Sequence, residues 1–341
     1  MTDTVNVSLS EIEALAIAVL KAANVSDANA ASVARSIVSA ERDGQQIVGL
    51  SYLPFYCEHA ACGKVDGHAV PVLTRPAPTA VAVDAATGFA HPAIDLGLGP
   101  LAEAALQSGI AILTVGNSYA CGSLGSFVEM LAAQNLIAFM TANASPSIAP
   151  HGGKVPFFGT NPIAFAAPRA GGPPLVIDQS SSVVAKVAII EAHRRGADLP
   201  SGWALDRDGQ PTTSAAAAMD GSLMAIGGYK GVGLALMVDL LSAGLSGSHF
   251  SHEASSFGDC EGGPPRTGQC IVAISPERLG IGDFAARSDS LLTALGREPG
   301  AQLPGARRLA ARRRNGTRIE VDRELWAMLE ALANGTRKVM E

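Results

Sequence analysis

The feature that most constrains this chain runs from Gly109 to Arg169. It opens with a continuous apolar run, Ile110 to Val115, short enough to be a strand buried on both faces. A loop holding Gly116, Gly122 and Gly125 follows, then apolar residues at helical spacing, Phe127, Met130 and Leu131, and a second buried run, Leu136 to Thr141. Strand, glycine loop, helix and strand in that order predict a βαβ unit, hence an α/β fold. Beyond it lies a polar segment rich in proline and glycine that ends in Phe158-Gly159-Thr160-Asn161-Pro162. Such residues suit turns and close approach of a ligand to the backbone. A nucleotide and a small substrate are expected on these loops.

The flanking sequence builds outward from this unit. Ser8-Leu9-Ser10-Glu11 is a capping box with the stripe Ile12, Leu15, Ala16, Val19 and Leu20 behind it, and a second helix is predicted from about Asp27 to Glu41. Leu50, Leu53 and Tyr56 keep helical spacing. A strand and turn are expected around residues 79–89, then a helix over Ala93–Ser108. Gly97-Leu98-Gly99 resembles the start of a dinucleotide fingerprint but falls inside that helix, which discounts it. Leu175 to Asp178 reads as a short strand ending in a carboxylate, and Gln179 to Arg195 as a loop of small residues and then a helix. Gly227-Gly228-Tyr229-Lys230-Gly231-Val232-Gly233 precedes an apolar helix, Leu234 to Leu245. Amide groups and a helix dipole converge in such a run, which suits an anion, although a tight helix start with a solvated lysine explains it equally well. Phe250 to Gly268 looks like a mobile loop, Gln269 to Ser275 a buried strand, and Asp322 to Asn334 a final helix. Between them Arg307, Arg308, Arg312, Arg313 and Arg314 form a basic run, ordinarily a solvated face but one able to clamp a phosphate.

The 341 residues can bury a large core and divide into two lobes, and with 48% hydrophobic and 16% charged residues the chain is globular. No apolar run approaches the ~20 residues of a membrane-spanning helix. The first residues lack a basic flank and an apolar stretch, so a cytoplasmic protein is expected. A net charge of −6 argues against a nucleic-acid partner. Five cysteines (Cys57, Cys62, Cys121, Cys260 and Cys270) at irregular spacing in such a chain predict reduced thiols. His249, His252 and Glu253 lie close together but read as solvated imidazoles in a loop, so no metal site is expected.

Three motifs now stand in order: NASPSIAPHGGKVPFFGTNPIAFAAPR (143–169), GGYKGVGLALMVDLL (227–241) and LPGARR (303–308). Together they resemble the malate/L-lactate dehydrogenase-like oxidoreductases, over nearly the whole chain. EAHRRGADLPSGWALDRDGQPTT (191–213), SGSHFS (246–251) and PRTGQ (265–269) are most similar to the branch that reduces Δ1-piperideine-2-carboxylate and Δ1-pyrroline-2-carboxylate with NADPH. The resemblance implies a non-Rossmann nicotinamide-binding sheet domain over 77–287. It implies a helical lobe built from 1–76 with 288–341 packed on it, and a homodimer. Cofactor contacts would fall on Ala120, Cys121, Gly122, Ser123 and Leu124; on Asp178, Gln179 and Ser180; and on Lys186 and Val187. Others would fall on Tyr229 and Lys230, and on Pro304, Gly305, Ala306, Arg307, Arg308, Leu309 and Ala310. NADPH is the implied cofactor, with NADH as the alternative, and Thr160 would touch the substrate.

The departures matter as much. The family carries a Ser-His-Gly triplet, an arginine four residues past the histidine, and an acid after the Asp178 segment. Those places hold Ile47, Val48, Tyr52 and Ala188 here, and the family's His-Phe pair is Ala120-Cys121. Every member of the proton relay is replaced. Reducing a ketone builds charge on oxygen that a general acid must neutralise, whereas a cyclic imine can arrive protonated as an iminium. The expected activity is therefore reduction of a small cyclic ketimine 2-carboxylate. A 2-hydroxy-acid dehydrogenase with a relocated acid and a catalytically silent nucleotide-binding homologue stand as alternatives. Without the arginine, Thr160, backbone amides and Tyr52 are left to hold the carboxylate. Tyr52, Tyr56 or Tyr119 are the available substitute donors, although a packed tyrosine with a satisfied hydroxyl is the commoner case.

Overall fold

A computed structural model describes residues 3–336, so residues 1–2 and 337–341 at the outer limits of the expected lobe lie outside it. The chain begins with β1 (Thr4–Ser8), α1 (Leu9–Ala22) and α2 (Asp27–Arg42). Ser8 starts α1 as the capping box requires: its hydroxyl accepts from the Glu11 amide, and the Glu11 carboxylate accepts from the Ser8 amide. Two 3-10 turns, Gln46–Val48 and Leu50–Tyr52, lead into α3 (Leu53–Ala61). The chain then forms β2 (Val72–Ala77), β3 (Ala80–Asp84), α4 (Ala90–Ser108), β4 (Ile110–Ser118), α5 (Gly125–Ala132), β5 (Ile137–Ala142), β6 (Ile163–Ala167) and β7 (Leu175–Gln179). A small excursion follows: α6 (Lys186–Arg194), β8 (Ala204–Leu205), β9 (Pro211–Thr212), α7 (Ala215–Met219) and β10 (Ser222–Leu223). The last elements are α8 (Tyr229–Asp239) with a π turn at Leu240–Gly244, β11 (Thr267–Ile274), α9 (Phe284–Gly296), α10 (Ala306–Asn315), β12 (Arg318–Asp322) and α11 (Arg323–Ala333).

Seven strands form the main sheet in the order β2-β3-β4-β11-β5-β6-β7. The predicted strand–helix–strand unit is present, but its strands are not neighbours. β11 lies between β4 and β5, antiparallel to both, so the unit is split by a strand arriving more than a hundred residues later. Among the described residues of this sheet, only β3 and β4 pair in parallel. The sheet core, Leu113, Val115, Met140 and Ile271 among its members, is covered by α4 and α5. Gly97 is part of this packing, because a Cβ there would come within 2.6 Å of the Leu113 methyls.

A second core joins both ends of the chain. α1 packs with α2, α3 and α11, and β1 pairs with β12, burying Ile12, Leu20, Ile37, Leu53, Val321 and Leu329. A third, smaller core gathers α6, α7 and the two-residue strands β8–β10 around Ile148, Ile189 and Leu223. No periodic pattern marks those strands, nor edge strand β2, whose Pro76 falls at an irregularity in the pairing with β3.

The cysteines require a correction. Cys62 and Cys260 form a disulfide, their Cα atoms 6.2 Å apart across 198 residues of sequence, while Cys57, Cys121 and Cys270 are free and buried. Spacing could not show the pair, because folding alone brings the end of α3 beside the loop before β11. That loop is also tied elsewhere. The buried Lys64 ammonium donates to the carbonyls of Asp259 and Glu261, 2.7 Å each, and Phe257 packs edge-on against Tyr119. Among the described residues no helix is long and apolar enough to cross a membrane, and no group of three His, Cys, Asp or Glu is placed to hold a metal ion.

Candidate active site

The loop leaving β4 is fixed from the sheet side. Ser118 donates to the Gln269 side-chain oxygen at 2.8 Å, and the Gln269 amide donates back to the Tyr119 carbonyl at 3.3 Å. Gly122 adopts φ +66°, and it is this left-handed backbone rather than crowding that calls for glycine. Asp178, at the end of β7, closes the loop from the other side: its carboxylate accepts from the Gly125 amide at 2.8 Å and the Ser123 hydroxyl at 3.0 Å. It thus caps the first turn of α5, where a negative charge also meets the helix dipole. Burial raises the Asp178 carboxyl above its ordinary range, and these hydrogen bonds oppose the rise.

Asp178 also faces a cavity of about 770 Å³, whose walls include Asp43, Gln45, Pro304, Ala306, Arg307 and Arg314. Gly305 starts α10 at φ +75°, and a Cβ there would lie 2.7 Å from the Val176 carbonyl, so the head of α10 rests directly on β7. The arginines divide into two groups. Arg308 and Arg312 are locked into a nearly buried cluster with Asp43 of the α2 end and Glu129 of α5, at 2.6–3.0 Å. Arg308 therefore binds α10 to α2 and α5 while also lining the cavity. Its acidic partners lie far away in sequence. Arg307 and Arg314 are exposed on the cavity and make no ion pair among the described residues. Burial would raise the Glu129 carboxyl, but hydrogen bonds from Arg308 and Arg312 overcome it and hold it down to about 2.

Thr160 and the Gly227–Lys230 run meet through the segment that continues β7. The Ser181 amide donates to the Thr160 carbonyl at 2.8 Å, and the Ile226 amide donates to the Ser181 carbonyl at 2.9 Å. Asn161, buried at φ +39°, braces the turn: its Oδ1 accepts from the Ala144 amide and the Ser251 hydroxyl, and its Nδ2 donates to the Ala235 carbonyl. Tyr229 and Lys230 sit within the first turn of α8, both exposed, rather than before the helix. Lys186, Val187 and Ala188 open α6; Lys186 lines a separate small crevice with Ser147 and Met219. Along β7 and its continuation the structure thus gathers Ser123, Asp178, Thr160 and the α10 and α8 heads, while the α6 residues stand off to one side.

Ile47 and Val48, in the places of the family's serine and histidine, occupy the first 3-10 turn, where Ile47 is 47% exposed, while Tyr52 ends the second turn. Behind them Glu41 is buried and accepts from the Leu50 amide at 2.7 Å; burial lifts its carboxyl to about 7. A Cβ on Gly49 would overlap that carboxylate, which fixes the turn. Tyr52 starts a run of stacked rings that sequence reasoning largely missed. It meets Tyr56 edge-on at 4.8 Å, and Tyr56 meets Phe89, His91 and Tyr119 in the same way. Cys121 is buried beneath the loop, where desolvation lifts its thiol to about 12. Burial lowers His91 to about 4, and neither of its ring nitrogens has a hydrogen-bond partner among the described residues. The Tyr119 hydroxyl bonds the His59 Nδ1. No spacing in the sequence marks His59, since its partner lies 60 residues on.

Comparison with known proteins agrees with this architecture. Residues 7–330 match the malate/L-lactate dehydrogenase family. A (2R)-3-sulfolactate dehydrogenase (NADP(+)) of Chromohalobacter salexigens is 43% identical, covering 96% of this chain and 98% of that protein. A Δ1-pyrroline-2-carboxylate reductase of Ancylobacter novellus is 37% identical, covering 97% and 98%. The crystal structure of Δ1-piperideine-2-carboxylate reductase from Pseudomonas syringae superimposes with a TM-score of 0.92 at 38% identity, covering 97% of this chain and all of that one.

Proposed function

Because the chain belongs to the malate/L-lactate dehydrogenase family, we propose that it reduces a small cyclic ketimine 2-carboxylate with NADPH. The products would be L-pipecolate or L-proline from the six- and five-membered rings. The observation that carries this choice is the apolar pair Ile47-Val48 in the place of the family's serine and histidine. An imine that arrives as its iminium already holds the proton its nitrogen keeps, so the site can dispense with a strong acid. Relatives named as ketimine reductases support the same reading.

The residues present suit a dinucleotide. The cavity at Asp178 falls in the usual size range for a cofactor site, roughly 300–1,000 Å³. The heads of α8 and α10 offer free amides to phosphate groups, and Arg307 and Arg314 offer exposed guanidiniums of the kind a 2′-phosphate selects. Ala120 to Leu124, held by Asp178 and Gln269, would support the nicotinamide end. When bound, the nicotinamide supplies the hydride. The chain's own part is to place the substrate: Thr160 and Tyr52 are assigned to its carboxylate, and the apolar Ile47 and Val48 keep water from the reacting carbon. We extend the proposal to a homodimer on the family resemblance.

One observation favours a second reading. The 43% identical relative is named for oxidising a hydroxy acid, so a 2-oxo acid could be the oxidised substrate if another group delivers the proton. Both readings are tested by following oxidation of NADPH with Δ1-piperideine-2-carboxylate, Δ1-pyrroline-2-carboxylate, pyruvate, oxaloacetate and 3-sulfopyruvate. Turnover confined to the cyclic imines supports the proposal, and turnover confined to 2-oxo acids refutes it in favour of the second reading. Binding of NADPH without turnover on any of them marks a silent homologue.

A further inference from the structure

We propose that Cys62–Cys260 is a thiol–disulfide exchange site, through which a dithiol reductant loosens the strap before β11 and weakens nucleotide binding. The inference rests on the reading of Ala120 to Leu124 as the nicotinamide loop. The strap runs from His249 to Arg266, and its base is closed where the His249 amide donates to the Arg266 carbonyl at 2.9 Å. Its tip, residues 255–263, closes on itself: the Ser255 hydroxyl donates to the Gly263 carbonyl at 2.7 Å, and the tip contains no helix or strand. The tip reaches the body of the protein through the Cys62 bond, through the Lys64 ammonium, and through the Phe257 ring, seated edge-on against Tyr119 with centroids 5.2 Å apart. The last contact links the strap to the site. Tyr119 directly precedes Ala120, so Phe257 braces the residue from which the nicotinamide loop departs.

A reversible bond differs from a permanent staple in who can reach it and in what it holds. Cys62 and Cys260 are half-buried, and Ala61, Gly63, Asp259 and Glu261 beside them are exposed, whereas Cys57, Cys121 and Cys270 are buried. A soluble thiol can therefore approach this pair and not the others. As for what it holds, α3 sits in the core shared by both chain ends, and β11 is the middle strand of the main sheet, so neither depends on the bond for its place. The tip does. Closing it buries the Lys64 ammonium against two carbonyls and an Asp259 carboxylate oxygen 3.4 Å away, on a side chain 49% exposed. Taking that charge out of water has a cost that the cross-link helps to offset. Once the bond is cut, opening rehydrates Lys64 and lifts Phe257 from Tyr119.

The step balances with the dithiol as its only co-reactant. A thiolate of the reductant attacks one sulfur of the pair, the S–S bond breaks, and the other cysteine leaves as a thiolate that takes up a proton. The second thiol of the reductant then displaces the first cysteine. Two electrons and two protons have passed to the protein, which ends with two thiols, and the reductant ends as a disulfide. The tip is the element with two arrangements, pinned and free, and the redox state selects between them.

The test compares wild-type protein treated with a mild oxidant with the same protein reduced by dithiothreitol and then freed of it. Alkylation after denaturation should count three thiols in the first and five in the second. NADPH affinity, read by fluorescence titration, is expected to fall ~5- to 150-fold on reduction and to return on reoxidation. Amide hydrogen exchange over residues 255–263 should quicken in the reduced protein. Cys62→Ser and Cys260→Ser should each bind NADPH as the reduced wild-type protein does, with no response to dithiothreitol, and the wild-type comparison decides the matter if either variant fails to fold. The same affinity in both states, or five thiols in the oxidant-treated protein, would overturn the proposal and leave the cofactor reading standing. A protein that binds no NADPH in either state would overturn both.

Discussion

Glu129→Gln is the substitution whose consequence the structure fixes most closely. The Glu129 carboxylate takes hydrogen bonds from Arg308 at 2.8 and 3.0 Å and from Arg312 at 2.8 and 3.0 Å, with 14% of its side chain exposed. A carboxyl held at about 2 against an ordinary 4.5 corresponds to about 3 kcal/mol of folding free energy at neutral pH. The sign follows from the direction of the shift. The folded carboxyl is the stronger acid, so its contribution is complete above 4.5 and is lost as pH falls toward about 2. Glutamine keeps the shape but offers one acceptor instead of two and leaves Arg308 underpaired in a nearly buried place. Denaturant unfolding at neutral pH should therefore show a loss of about 3 kcal/mol, and the wild-type decline between 4.5 and about 2 should flatten in the variant. A neutral-pH stability within ~0.5 kcal/mol of wild type, the range of an ordinary surface change, would refute the reasoning.

Three further outcomes follow from separate parts of the molecule. Gly97→Ala should lower the melting temperature, because overpacking against buried Leu113 costs ~1–3 kcal/mol, more than the ~1 kcal/mol that alanine gains in a helix; a rise would show that Leu113 gives way. Cys62→Ser should cost ~2–5 kcal/mol and make the melting temperature insensitive to a dithiol reductant, to which the wild-type protein should respond. Arg307→Ala and Arg314→Ala should each weaken NADPH binding about tenfold, ~1.4 kcal/mol, with little effect on NADH. Equal losses for both nucleotides, measured by fluorescence titration, would move the 2′-phosphate elsewhere.

Much of the local structure was legible because its causes are local. The capping box at Ser8 and Glu11, the buried runs in β4 and β5 and the glycine that begins the α8 turn each depend on neighbours within a few residues. What stayed hidden depends on distant partners. Nothing in Ile110–Thr141 shows that β11 divides its two strands, and nothing near Cys62 points to Cys260. Nothing near Arg308 in the sequence shows that Asp43 and Glu129 lie against it. The family motifs make Asp178 a candidate cofactor residue, and its hydrogen bonds from Ser123 and Gly125 explain why a carboxylate is needed there. The pairing of Tyr119 with His59 had no sequence signal, because the two lie 60 residues apart.

The central claim is that the chemistry is imine reduction, and the specificity ratio tests it most directly. With NADPH saturating and the pH low enough for the imine to be protonated, kcat/KM is measured for Δ1-piperideine-2-carboxylate and for 3-sulfopyruvate on the wild-type protein. The account predicts a ratio in favour of the ketimine of at least ~100, the smallest effect expected of a missing general acid. A ratio near one, or one favouring the oxo acid, would contradict it.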